Sequence, residues 1–204
     1  MRKLFITGIG TDVGKTVASA ILVEALQADY WKPVQTGSYY GTDSEKIQKL
    51  IGNTKSVFFK ESYSLEQYMS PHAAAETSGV EIDFKKIELP ETNNSTLIIE
   101  GAGGVMVPLN QEFFMVDLMK KFDCEVILVV QNYLGSINHT LLSIEALKSR
   151  GIKLLGIILN GPPHKLSEDL IFEHTKVKLL GRINKEANIS KEVISKYTDQ
   201  FKNI

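Results

Sequence analysis

The chain has 204 residues, 43% of them hydrophobic, and a formal net charge of −1. That length predicts one α/β domain over residues 1–204 with a real buried core. The near-zero charge leaves no electrostatic footing for nucleic acid or for an anionic membrane surface. Cys124 is the only cysteine, so no intrachain disulfide can form; it precedes an apolar strand and is expected to be a small buried side chain. The sequence enters a strand at once without a signal peptide, and no apolar run is long enough to span a bilayer. A soluble cytoplasmic protein is expected.

Leu4 to Thr7 form a short apolar, β-prone run, followed by GIGTDVGKT from Gly8 to Thr16 and then by a helical stretch from Val17 to Ala28. Strand, glycine-rich turn, Gly-Lys-Thr and helix together make a phosphate-binding loop (P-loop) arrangement. Backbone N–H groups at a helix N-terminus point at an anion, and the helix dipole favours negative charge there. Lys15 would neutralise the β/γ-phosphates and the Thr16 hydroxyl would bind Mg²⁺, while glycine at position 14 lets the backbone approach without a Cβ in the way. The spacing departs from the common pattern, since five residues separate Gly8 from Gly14 and three separate Gly10 from it.

Tyr30 to Gly37 (YWKPVQTG) read as a second strand ending in a turn, with Lys32 inside it. Thr42-Asp43-Ser44 then resembles a helix N-cap before EKIQKLI. Taken locally, Lys32 is a solvent-facing strand lysine and Asp43 a carboxylate favouring the helix dipole. Val57 to Lys60 read as a short extended piece, Pro71 suits the first position of a helix, and Ile82 to Leu89 are predicted to form a short amphipathic helix. Thr96 to Ile99 are a buried strand that runs into EGAGG, Glu100 to Gly104. An acid at the C-terminal end of a parallel strand sits at the ligand edge of an open α/β sheet, where P-loop enzymes keep a metal-binding carboxylate.

The rest alternates. Helix Val116–Phe122, strand Glu125–Val130, helix Ile137–Arg150, strand Leu154–Gly161, helix Leu166–Thr175, strand Lys178–Ile183 and helix Ser190–Phe201 are expected in turn. Near-continuous apolar strands separated by helices predict a P-loop NTPase-type α/β fold, a mostly parallel sheet with helices on both faces.

TG followed by TDVGKT, then KPVQTG, Ser70-Pro71-His72, EGAGG, LGSINH (Leu134 to His139) and ILNG (Ile158 to Gly161) resemble the dethiobiotin synthase family. The resemblance runs from about Met1 to Arg182, and the unusual glycine spacing belongs to it. It implies an ATP- and Mg²⁺-dependent cyclo-ligase that closes 7,8-diaminononanoate and carbon dioxide into the cyclic urea of dethiobiotin, a step of biotin biosynthesis, working as a homodimer. It also implies roles. Asp12, Val13, Gly14, Lys15, Thr16 and Val17 would wrap the phosphates, and Thr16, Asp43 and Glu100 would surround Mg²⁺. Lys32 would stabilise charge on carbamate and γ-phosphate, with Thr11 at the boundary of substrate and phosphate and Thr36 on the substrate. Gly101, Ala102 and Gly103 would line the nucleotide and carbamate region. Ser136, Ile137 and Asn138 of the partner would receive the substrate carboxylate, and Asn160 would contact the base. Where the family often has Ile-Pro after the last strand, this chain has Ile183-Asn184.

Two other classes share the loop. Amidoligase or corrinoid-type synthetases usually add a glutamine-amidotransferase domain with a Cys–His pair. Regulatory or partitioning P-loop ATPases commonly carry an earlier second lysine in the loop, where Ile9 and Gly10 stand here.

Overall fold

The computed structural model describes residues 1–204 apart from the side chain of Tyr40. The apolar run at the N-terminus becomes β1 (Arg2–Gly8), and Leu4, Phe5 and Ile6 are fully buried within it. Helix α1 (Lys15–Leu26) follows after the glycine-rich loop. The remaining main-sheet strands are β2 (Asp29–Trp31), β4 (Phe58–Phe59), β6 (Thr96–Gly104), β7 (Glu125–Gln131), β8 (Leu154–Asn160) and β9 (Leu179–Ile183). They order as β4-β2-β6-β1-β7-β8-β9, and every pairing is parallel.

Parallel neighbours need crossovers, and these are right-handed. The chain moves one way from β1 to β2 and the opposite way from β7 through β8 to β9, so its helices fall on opposite faces. On one face α1 packs with α2 (Asp43–Leu50) and α7 (Lys191–Tyr197). On the other, α5 (Ser136–Lys148) packs with α6 (Lys165–Thr175) over β7 and β8. Direction reverses at β1, so the crevice at its C-terminal end is where such a sheet binds ligands.

Four sequence expectations change. The strand expected over Tyr30–Gly37 is two strands. Pro33 has no N–H for the ladder, so the chain leaves the main sheet after Trp31 and forms β3 (Val34–Thr36), which pairs with the unexpected β5 (Tyr63–Leu65). The Pro33 carbonyl accepts instead from the N–H groups of Ser62 and Tyr63 at 2.9 and 3.1 Å. The helix expected over Ile82–Leu89 is only a 3₁₀ turn at Phe84–Lys86. Ile82 and Ile87 are both buried; the carbonyls of Ile82 and Ile87 accept from Asn110 and Lys121 side chains, and that of Phe84 accepts from Lys121 as well as from the Ile87 N–H that closes the turn. The strand before Glu100 continues to Gly104, and the last helix closes at Tyr197, followed by a 3₁₀ turn. Helices α3 (Pro71–Thr77) and α4 (Met115–Lys121) lie near their expected positions.

Candidate active site

The P-loop leaves β1 at Gly8 and enters α1 at Lys15. Gly14 has φ +97°, and a Cβ there would lie 2.2 Å from Asn160 Nδ2, so both conformation and space require glycine. Asn160, at the end of β8, donates from Nδ2 to the Val13 carbonyl at 3.0 Å and so braces the loop from the neighbouring strand. Lys15 folds back over the loop, its Nζ donating to the Gly10 carbonyl at 2.8 Å. Burial lowers its pKa to about 8, with Lys32 adding repulsion and Glu100 opposing the shift.

Lys32 stands where the chain turns out of the main sheet at Pro33. Its buried Nζ donates to Asp43 Oδ2 at 2.5 Å and to Glu100 Oε1 at 3.2 Å. Desolvation alone would lower its pKa, but the two carboxylates outweigh burial and raise it, so Lys32 is an ammonium at neutral pH. Asp43 responds in the opposite sense. Burial pushes it up, yet Lys32 and then Lys46 hold it below the usual carboxylate range. Asp43 is also the first residue of α2, behind a Thr42–Glu45 capping box, so the local helix-cap expectation and the ion pair hold together. Its N–H donates to Gln35 Oε1 at 2.9 Å.

Glu100 is fully buried on β6, paired in register with Ile6 of β1. Its Oε1 accepts from Thr16 Oγ1 at 3.0 Å as well as from Lys32, and its Oε2 accepts from the Tyr30 hydroxyl at 3.1 Å. Burial first, and the Glu100 and Asp43 charges next, hold the Tyr30 pKa well above its ordinary value, so the phenol remains a donor.

Around these groups opens a cavity of about 820 Å³, within the range of ordinary small-molecule sites. Of the expected residues, Thr11, Asp12, Gly14, Lys15, Thr16, Val17, Lys32, Thr36, Asp43, Glu100, Ala102 and Gly103 line it. Val13, within the loop, is buried. Gly101 faces the core, where a Cβ would meet the Phe5 ring at 2.8 Å, so it is a packing position rather than part of the lining. Ser136, Ile137, Asn138 and Asn160 are also outside the lining. Ser136 is buried at the start of α5, whereas Asn138 is exposed. Sequence reasoning missed Gln35 and Tyr30. The alternation of strand side chains gave one usable signal, since Tyr30 lies two residues before Lys32.

Thr16, Asp43 and Glu100 offer only oxygen donors, the set that suits a hard cation such as Mg²⁺. Lys32 already places a positive charge between the two carboxylates, so these oxygens are aimed at a cation. Cys124 offers no nucleophile, because burial pushes its thiol up to about 12.

The family model described as an AAA domain matches residues 2–193. An ATP-dependent dethiobiotin synthetase from Christiangramia forsetii is 54% identical over 201 residues, covering 98% of this chain and 96% of its own length. The chain belongs to the ATP-dependent dethiobiotin synthetases. A synthetase from Cytophaga hutchinsonii is also 54% identical (97% and 95% coverage), and one from Chlamydia pneumoniae is 41% identical (100% and 91%). Among solved structures, a putative plasmid partition protein from Borrelia burgdorferi bound to AMPPNP superposes with a TM-score of 0.58 at 13% identity, covering 98% of this chain and 95% of its own. The septum site-determining protein MinD from Pyrococcus horikoshii, complexed with Mg-ADP, gives 0.56 at 13% identity (99% and 96%). At that identity these two share the P-loop fold with the dethiobiotin synthetases and nothing finer. No helix among the described residues is long and apolar enough to cross a membrane.

Proposed function

We propose that this synthetase, as one domain over residues 1–204, joins 7,8-diaminononanoate and carbon dioxide at the expense of ATP to give dethiobiotin in the cytoplasm. The observation that carries this reading is Lys32, a buried ammonium between Asp43 and Glu100 in the same cavity as P-loop Lys15. A ligase that passes through an acyl phosphate must stabilise negative charge on two reacting partners at once, and two buried cations in one cavity suit that task.

In this reading one substrate amine takes up carbon dioxide as a carbamate. A carbamate oxygen attacks the γ-phosphorus, the bond to ADP breaks, and a carbamic–phosphoric anhydride forms. The second amine then attacks the carbamate carbon, loses its proton and expels phosphate as the ring closes. Lys15 neutralises the transferring phosphoryl group, with the N–H groups of Asp12 to Val17 around the phosphates. Lys32, charged throughout, faces carbamate and γ-phosphate and serves as an electrostatic stabiliser rather than a base. Thr11 and Thr36 orient the substrate, and Ala102 and Gly103 bound the carbamate region. Thr16, Asp43 and Glu100 would hold Mg²⁺, which when bound neutralises phosphate oxygens. Asn160, braced on Val13, is the residue offered to the base.

The substrate carboxylate falls to Ser136, Ile137 and Asn138 at the start of α5 in the partner of a homodimer. Leu134 and Leu142, fully exposed and 60% exposed on either side of Asn138, support a contact there. The test is phosphate release from Mg-ATP with and without diamine and bicarbonate, followed by mass detection of dethiobiotin. Release should require both substrates. Equal release without the diamine would sink the ligase reading in favour of a simple ATPase.

A further inference from the structure

We propose that Tyr30 is a positioning residue, whose hydroxyl fixes the buried Glu100 carboxylate so that Oε1 is turned toward Thr16 and Lys32. This rests on the reading of Glu100 as a metal-holding carboxylate and extends it to a residue that touches neither metal nor substrate.

The geometry follows from the sheet. Tyr30 on β2 pairs in register with Ile98 on β6, and cross-strand partners share a face of the sheet. Glu100 lies two residues beyond Ile98, so it returns to that same face. The Tyr30 side chain therefore reaches Glu100 diagonally, and its hydroxyl lies 3.1 Å from Oε2. Thr16 and Lys32 both reach the other oxygen, Oε1, at 3.0 and 3.2 Å. The carboxylate has no exposed surface, so water cannot substitute for a lost donor without rearrangement. Without the phenol, Oε2 would be left unpaired beside two donors crowded on Oε1, and rotation about the terminal side-chain bond would share them out. That rotation takes Oε1 off the axis to Thr16. The phenyl ring has its own support, with the Phe58 ring 5.6 Å away between centroids, so Tyr30→Phe keeps the packing and removes only the donor.

The experiment compares wild type, Tyr30→Phe, Glu100→Gln and the double variant as full-length protein. Three quantities are read: the Mg²⁺ concentration giving half-maximal phosphate release, ATP affinity in the absence of divalent metal, and the Glu100 rotamer in a metal-free crystal of Tyr30→Phe. Tyr30→Phe should raise the Mg²⁺ requirement about tenfold, the low end for removing a hydrogen-bond partner from a metal-ligating side chain. Metal-free ATP affinity should stay at the wild-type value, because Lys15 and the loop are untouched. In the crystal the carboxylate should have turned, and adding Tyr30→Phe to Glu100→Gln should change nothing further. A lower melting temperature with the Mg²⁺ titration and the Glu100 rotamer unmoved would make Tyr30 a core residue only and overturn the inference. If Glu100→Gln shifts the titration and Tyr30→Phe does not, the inference falls alone. If Glu100→Gln itself leaves the titration unmoved, the metal reading falls and takes the inference with it.

Discussion

The floor of the cavity and the start of α5 are built on opposite plans. At the floor, four segments of one chain converge: the P-loop, the end of β2, the start of α2 and the middle of β6. Their polar groups are already partnered: Lys32 pairs with Asp43 and Glu100, Thr16 donates to Glu100, and Lys15 donates to the loop carbonyl of Gly10. At the start of α5, Gly135 caps the helix with φ +100° and no side-chain bond, Asn138 is exposed, and Leu134 stands fully in solvent. Preformed electrostatics suit a step whose barrier is charge. An open helix N-terminus beside bare apolar side chains suits a surface completed by another molecule. On the proposed reading, phosphoryl transfer would be wired within each chain, and the hold on the organic substrate would be the part left to assembly.

The largest expected effect breaks the wired half. Lys15→Gln and Lys32→Gln should each cost about 2.7–4 kcal/mol in the barrier, on the scale of a lost oxyanion donor. Phosphate release with both substrates present is the measurement. A near-wild-type rate for Lys32→Gln would return that residue to an ion-pairing role in the core. Lys32→Gln also leaves Asp43 and Glu100 facing each other without their cation, so thermal melting must be recorded beside the rate to separate the two consequences.

A smaller effect comes from pH and should touch the P-loop half alone. Lys15 titrates near 8 in the free protein, and a bound phosphate can only raise that value. Below about 8 the lysine is already charged and nucleotide affinity should be flat. Above it, binding must first take up a proton, so affinity should fall toward about tenfold per pH unit until the bound-state pKa is reached. Calorimetry in buffers of different ionisation enthalpy measures that proton directly. Lys15→Gln should remove the uptake, and Asn138→Trp should leave it intact; an uptake that survives in Lys15→Gln assigns it to another group.

The smallest expected signal, a recovery of about half the activity on mixing, gives the sharpest view of the proposed assembled half. Lys32→Gln chains and Asn138→Trp chains should each be nearly inactive alone. In mixed dimers of the proposed kind one site would carry both lesions and the other neither, so activity should return to at most about half per dimer. No recovery despite demonstrated subunit exchange would show that Lys32 and Asn138 serve the same subunit's site.

How much of this was legible beforehand depended on whether the signal was contiguous. Gly8 to Thr16 announce themselves because loop, lysine and hydroxyl are adjacent in sequence and flanked by the strand and helix that they need. Glu100 was readable from its place between an apolar run and a glycine-rich stretch, although β6 carries on past it to Gly104, whereas Asp43 looked like an ordinary helix cap and took its second role only from the family resemblance. Tyr30 and Gln35 were missed because their partners are tertiary: Glu100 lies 70 residues away, and Gln35 meets the Asp43 N–H only after Pro33 has redirected the chain. The same proline explains why the single strand expected across Tyr30–Gly37 is two. At Ile82–Leu89 only a 3₁₀ turn forms, and side chains distant in sequence, Asn110 and Lys121, donate to the carbonyls of Ile82, Phe84 and Ile87, contacts that the local pattern does not show. The family motifs end by Arg182, yet the relative from Christiangramia forsetii aligns over 98% of the chain, so the likeness is not confined to the motif-bearing part.

Cys124 carries a practical consequence. Its thiol is shielded at the approach to β7 and pushed up to about 12, so at neutral pH it offers almost no thiolate to an alkylating dye. The natural sequence is therefore already a blank background for thiol chemistry. A cysteine placed at the 81% exposed Leu166, on α6 and away from the cavity, gives a single coupling point without any compensating deletion. Donor- and acceptor-labelled pools made this way report subunit exchange by energy transfer, in the same cuvette in which phosphate release is followed.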